Sequence, residues 1–117
     1  MTSFQTEFIS GKKIAIFNQQ YGNEEIARVI ALGKMQKDDE DPFALVNLKL
    51  LIDRYNEWKR EFPQIQPFYA VKCNDDNVLL KILADLGLGF DCASKAELDM
   101  VLKDQLVLPE KIIFAHT

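Results

Sequence analysis

One histidine, two cysteines and one tryptophan stand in this chain of 117 residues, and each scarcity closes a chemical route. The lone His116 leaves no histidine pair or histidine-rich metal site to build. Cys73 and Cys92 lack Cys-x-x-Cys spacing and make no disulfide framework, so they read as small buried hydrophobes in a reducing, cytoplasmic setting. No apolar run approaches the ~18 to 20 residues that a membrane span needs, and Met1 to Ser10 has no basic stretch followed by an apolar one. Neither membrane anchoring nor secretion is expected. A P-loop is missing, and Gly87-Leu-Gly89 is too short for a dinucleotide fingerprint. Positive charge is the minority, with 14 Lys and Arg against 18 Asp and Glu and a formal net charge of -4. The basic residues form no stripe, which disfavours nucleic acid as a partner.

What is there suits a folded globular segment: 48% hydrophobic and 27% charged residues. From residue 43 onward, short apolar runs alternate with helix-period segments, the pattern of βα units on a parallel sheet. Phe43 to Val46 reads as a short strand. Asn47 caps a helix with Leu48, Leu51, Ile52, Tyr55 and Trp58 on one face, ended by Pro63 and Pro67. Phe68 to Cys73 is the next strand. Asn74, Asp75 and Asp76 offer caps for a helix with Leu79, Ile82, Leu83 and Leu86 inward, and Gly87 is its stop. Gly89 to Ala93 is a strand, Ser94 to Glu97 has capping-box spacing for a helix carrying Leu98, Val101 and Leu102, and Ile112 to Ala115 is a strand. The strand centres, near Ala70, Asp91 and Phe114, are almost evenly spaced.

Residues 1 to 42 say less. Lys13 to Phe17 alternates weakly like a strand, Glu24 to Leu32 reads as a helix with Ile26, Val29 and Ile30 inward, and Lys37 to Asp41 as a solvated acidic linker. Lys111 to Thr117 reads as a strand that stops without turn or cap, so a truncated chain is expected.

The chemistry concentrates at two strand ends. Alternation puts Phe68, Ala70 and Lys72 on one side of their strand, with Lys72 at its C-terminal end, where barrel and doubly wound folds place active sites. A lysine snorkelling to water is the ordinary alternative. One unit later, Asp91 lies on the face of Gly89 and Ala93, opposite Phe90 and Cys92. Neighbouring strands are ~4.8 Å apart, so Lys72 and Asp91 are expected to approach within one pocket. Spacing alone does not separate a structural ion pair from a catalytic one. Glu97 is accounted for as the N3 carboxylate of the capping box.

Pro67-Phe-Tyr-Ala-Val-Lys-Cys-Asn-Asp75, followed by Gly89-Phe-Asp-Cys-Ala-Ser-Lys-Ala-Glu97, resembles the eukaryotic ornithine decarboxylases. The resemblance runs from about Phe43 to Ala115 and is strongest between Pro67 and Glu97. It implies an α/β fold: the opening βα units of a pyridoxal-phosphate-binding (β/α)8 barrel over residues 43 to 117. Residues 1 to 42 would belong to a second, β domain. The activity implied is decarboxylation of L-ornithine to putrescine in polyamine synthesis. The protein would be a cytoplasmic homodimer with active sites at the subunit interface, acting on a small amino acid, with antizyme as a partner in animal members. By the family's motif, Lys72 holds the cofactor as a Schiff base, and Asp91 and Glu97 are carboxylates beside that lysine and the cofactor, able to receive its ammonium.

The ending departs from the family: His116-Thr117 stands where Asn-Pro is usual. The phosphate loop, the pyridine-nitrogen partner, the stacking histidine and the reprotonating cysteine lie later in the family's chains, so the 117-residue segment alone is expected to be inactive. Two other family readings are an antizyme-inhibitor-like regulatory protein, disfavoured because such proteins tend to lose the aspartate present here as Asp91, and a lysine, arginine or diaminopimelate decarboxylase. A free-standing α/β binding module is the structural alternative.

Overall fold

The computed structural model describes residues 4–103 and 105–115; His116 and Thr117 lie outside them. An antiparallel hairpin comes first, β1 (Phe4–Ile9) with β2 (Lys12–Phe17), in register from Phe4 opposite Phe17 to Ile9 opposite Lys12. Ser10 and Gly11, both at positive φ (51° and 77°), close it as a two-residue turn whose twist suits the flanking strands. α1 (Asn23–Gln36) and α2 (Leu48–Glu61) follow. Asn47 caps α2 as expected, its side chain accepting from the Leu50 N–H at 3.2 Å.

Phe43 to Val46 is not a strand. The segment is irregular, with Phe43, Leu45 and Val46 all exposed. A strand needs a partner to satisfy its backbone, and no described strand runs beside this one.

The remaining elements are β3 (Phe68–Ala70), a 3-10 turn (Val71–Cys73), α3 (Asn77–Leu86), β4 (Gly89–Cys92), α4 (Lys95–Lys103), a second 3-10 turn (Pro109–Lys111) and β5 (Ile112–Phe114). β3, β4 and β5 form a parallel sheet in sequence order, with Ala70 opposite Asp91 and Asp91 opposite Ile113. α3 ends at Gly87 in the left-handed conformation, as its sequence requires.

One sheet face carries the core. Phe90 and Cys92 of β4 are wholly buried against Leu80 and Leu83 of α3 and Val101 of α4. At 25 cal/mol per Å², a buried Leu or Phe side chain is worth about 1.5–3 kcal/mol, so these residues anchor the layer. α1 and α2 bury no residue fully, and Val29, expected inward, is exposed.

The opposite face carries Phe68, Ala70, Gly89, Asp91 and Ile113, and among the described residues the core of α3 and α4 packs on the other side, with Phe90 and Cys92. Consecutive parallel strands with both crossover helices on one side are a winding shared by a barrel wall and by one half of a doubly wound sheet. Gly89 is required there: a Cβ would collide with the Phe68 ring and lie 2.7 Å from the Lys111 carbonyl oxygen.

Candidate cofactor-binding site

β3 is shorter than its apolar run. The strand stops at Ala70, and Val71 to Cys73 bend into a single 3-10 turn. The even-odd alternation therefore ends before Lys72, and sheet geometry does not assign its direction as the sequence reading assumed. Lys72 is exposed, two residues beyond the Ala70 that registers with Asp91. Cys73, expected to be buried, is exposed for the same reason, whereas Cys92 is in the core.

Beyond the turn the backbone is tied down. The Asp76 N–H donates to Asn74 Oδ1 at 3.1 Å. Asp76 Oδ1 caps α3 by accepting from the N–H groups of Val78 (2.9 Å) and Leu79 (3.3 Å), and Lys12 of the hairpin donates to Asp76 Oδ2 at 2.9 Å. The Lys12 ammonium, ahead of the two backbone donors, holds the Asp76 carboxyl below its ordinary 3.8.

Asp91 is half-buried on the face opposite the core, and among the described residues it makes no hydrogen bond or ion pair with Lys72. The strand ends are adjacent; the ion pair is not formed. Glu97 closes its capping box as the sequence predicts. Its backbone N–H donates to Ser94 Oγ at 3.2 Å, while its Oε2 accepts from the Ala93 N–H and from the Ser94 hydroxyl, both at 3.1 Å. The cap does not exhaust the side chain, because Oε1 is buried with no hydrogen-bond partner among the described residues. A buried, unpaired carboxylate oxygen costs about 1–3 kcal/mol or more, and this one, in the first turn of α4 just past β4, points to an acceptor kept for a ligand or for another side chain. Sequence spacing showed the cap and could not show the second oxygen. Burial first, then the Glu97 and Asp91 carboxylates, push the Cys92 thiol up, which keeps it neutral and poorly nucleophilic.

Two concavities lie elsewhere. One of about 500 Å³ is lined by the end of α3, α4 and residues 105–109, and a cleft of about 870 Å³ lies between the hairpin, α1 and the starts of α2 and α3. Lys72, Asp91 and Glu97 line neither. No cluster of three metal-ligating residues occurs among the described residues, and no described helix is long and apolar enough to cross a membrane.

The pyridoxal binding domain of the pyridoxal-dependent decarboxylases matches residues 48–117. The chain belongs to that family. This pyridoxal-dependent decarboxylase domain is 46% identical over 110 residues to an ornithine decarboxylase of Panagrellus redivivus, covering 94% of the chain and 25% of the relative. It is 44% identical over 81 residues to antizyme inhibitor 2 of Xenopus laevis, covering 69% and 18%. Among solved structures, ornithine decarboxylase from Entamoeba histolytica superposes with a TM-score of 0.67 at 34% identity, covering 78% of this chain and 29% of that one. The arginine decarboxylase of Paramecium bursaria Chlorella virus, bound to agmatine, gives 0.56 at 48% identity, covering 59% and 19%. The chain thus spans about a quarter or less of the length of the curated relatives it matches, from 26% of one from Caenorhabditis elegans to 11% of one from Leishmania donovani. The fold is that of these decarboxylases, as expected, and the family's cofactor is pyridoxal phosphate.

The residues present suit one end of such a site. An exposed amine follows β3, and among the described residues the Asp91 carboxylate on the next strand has no ion pair and Glu97 Oε1 is buried without a hydrogen-bond partner. Gly89 lets the Phe68 ring close over the sheet at this face.

Proposed function

We propose that the whole protein containing this domain decarboxylates L-ornithine to putrescine, with Lys72 holding pyridoxal phosphate. The observation that carries the reading is the 46% identity, across 94% of the chain, to a protein named ornithine decarboxylase. When bound, the cofactor supplies an electron sink for the pair left behind as carbon dioxide departs. The chain's own residues do the rest of the work at this end of the site. Lys72 would hold the cofactor through its amine nitrogen, the only nucleophile of that type at the strand end. Asp91 and the free Oε1 of Glu97 would accept hydrogen bonds from the protonated amine and keep it close. The capping box fixes where Oε1 sits, because the same carboxylate is held by Ala93 and Ser94 through Oε2. Phe68, lying against Gly89, forms an apolar wall on the same sheet face.

The reading extends to a closed (β/α)8 barrel over residues 43 to 117 and beyond, to a β domain that includes residues 1 to 42, and to a homodimer sharing its active sites. It also extends to polyamine synthesis, control by antizyme and a cytoplasmic location, for which the two free cysteines are suitable.

Carbon dioxide release by the full-length protein from ornithine, arginine, lysine and diaminopimelate, with pyridoxal phosphate added, tests it. Ornithine should be strongly preferred. Preference for arginine would favour the activity named for the viral relative, and no turnover on any substrate would favour a regulatory protein like antizyme inhibitor.

A further inference from the structure

The turn that carries Lys72 has little to hold it. A 3-10 helix of three residues is a single turn, and Val71–Cys73 has no side-chain cap at its start. Val71 is wholly buried on one side of Lys72, while Cys73 and Asn74 on the other are exposed. One side chain spans the gap. The Tyr69 hydroxyl donates to the Asn74 carbonyl oxygen at 2.9 Å, closing a loop around residues 70 to 73. Tyr69 is itself immobilised: it stands opposite Phe90 in the sheet register, and its ring meets the Phe90 ring edge-on, with centroids 6.5 Å apart and planes at 87°. Burial, ahead of the nearby Cys73 and Asp75, pushes the Tyr69 phenol up, so the hydroxyl stays protonated and remains a donor.

We propose that the Tyr69 hydroxyl is a positioning residue for Lys72: its bond to the Asn74 carbonyl fixes the 3-10 turn and with it the lysine that holds the cofactor. The proposal rests on the reading of Lys72 given above. Tyr69 anchors the near end of the turn to the sheet, and Asn74 carries the restraint on through its side chain, which accepts from the Asp76 N–H at the cap of α3. Without the hydroxyl, the carbonyl of Asn74 has water as its alternative partner and the turn gains freedom, while the ring packing is kept.

The test is Tyr69→Phe in the full-length protein, which removes one oxygen and leaves the ring. Tyr55→Phe, at a half-buried tyrosine on α2 packed against the same core, is the control, and Asn74→Ala, which releases the far end of the turn, is a second variant. Three quantities are read: the dissociation constant for pyridoxal phosphate, the visible circular dichroism of the bound cofactor, and the melting temperature. Tyr69→Phe should weaken cofactor binding roughly two- to tenfold, the loss of one ordinary hydrogen bond, and reduce the dichroic band. Its melting temperature should fall no further than that of Tyr55→Phe. Asn74→Ala should move binding and dichroism in the same direction. Wild-type affinity and dichroism in Tyr69→Phe, whatever the melting temperature, would overturn the proposal; so would wild-type values in Asn74→Ala if Tyr69→Phe yields no folded protein. Borohydride trapping on the wild type separates the two levels. Label on Lys72 with an unaffected Tyr69→Phe overturns the positioning role alone, and label elsewhere overturns the reading of the site together with it.

Discussion

Replacing Asp91 by alanine should cost activity and spare the fold. In this structure the carboxylate is half-buried, registers with Ala70 and Ile113 through its backbone, and has no ion pair among the described residues. Removing such a side chain leaves no partner stranded, so stability should change by no more than about 0.5 kcal/mol. At about 2–4 °C per kcal/mol for a domain of barrel size, the melting temperature should move by roughly 2 °C or less. A structural ion pair would behave otherwise, because deleting one member of a buried pair costs about 3–5 kcal/mol, or on the order of 10 °C. The charge-assisted contact proposed between Asp91 and the protonated Lys72 amine is worth about 1.5–3 kcal/mol, which corresponds to roughly 10- to 100-fold in turnover. Calorimetry and carbon dioxide release on the same Asp91→Ala preparation separate the cases. A variant that melts far earlier, yet turns over normally per folded molecule, would refute the reasoning.

Gly89→Ala should destabilise by about 1–3 kcal/mol in urea unfolding, and adding Phe68→Ala should restore only part, because the Lys111 carbonyl at 2.7 Å belongs to the backbone and cannot swing away; an unchanged midpoint would contradict the packing. Asp76→Ala should cost about 1 kcal/mol as a lost helix cap. Because the folded Asp76 carboxyl lies below its ordinary value, that contribution is complete above the ordinary carboxylate range and fades as pH falls through the lower folded value. The wild-type advantage over Asp76→Ala, followed by unfolding at a series of pH values, should therefore be constant near neutrality and shrink below about pH 4; an advantage that grows on acidification would be the wrong sign. A thiol reagent followed by peptide mass spectrometry should modify exposed Cys73 and leave buried Cys92 intact in the native protein; equal labelling would mean that the core opens.

Local chemistry was the most legible part of the sequence. The α3 cap, open between Asn74, Asp75 and Asp76 in the sequence and made by Asp76, the Gly87 stop and the Ser94–Glu97 box each depend on a few neighbouring residues, and the stop and the box form as read. Parallel pairing of the sheet was equally plain, since Phe90 and Cys92 face a helix layer and their neighbours do not. Legibility fails where a neighbour distant in sequence decides. Phe43 to Val46 has the composition of a strand and no described strand to pair with. β1 was missed because its residues are nearly all exposed, leaving no inside-outside alternation to see; the Ser10-Gly11 turn beside a weakly alternating run was the available signal. The strand into Lys72 ended early because Val71 turns into the core, and alternation cannot foresee a 3-10 turn. Of the candidate site, residue types and strand-end placement were readable. The unpaired Oε1 of Glu97 and the Tyr69 bond to Asn74 were not, since both arise from packing between elements.

The central claim is that Lys72 is the residue that holds the cofactor, and one measurement bears on it directly. The full-length protein is loaded with pyridoxal phosphate, reduced with borohydride, digested and sequenced by mass spectrometry. The account predicts the pyridoxyl mass on the peptide containing Lys72, at one label per chain, and its loss in Lys72→Ala. Stoichiometric label on any other lysine, or full labelling that survives Lys72→Ala, would contradict it.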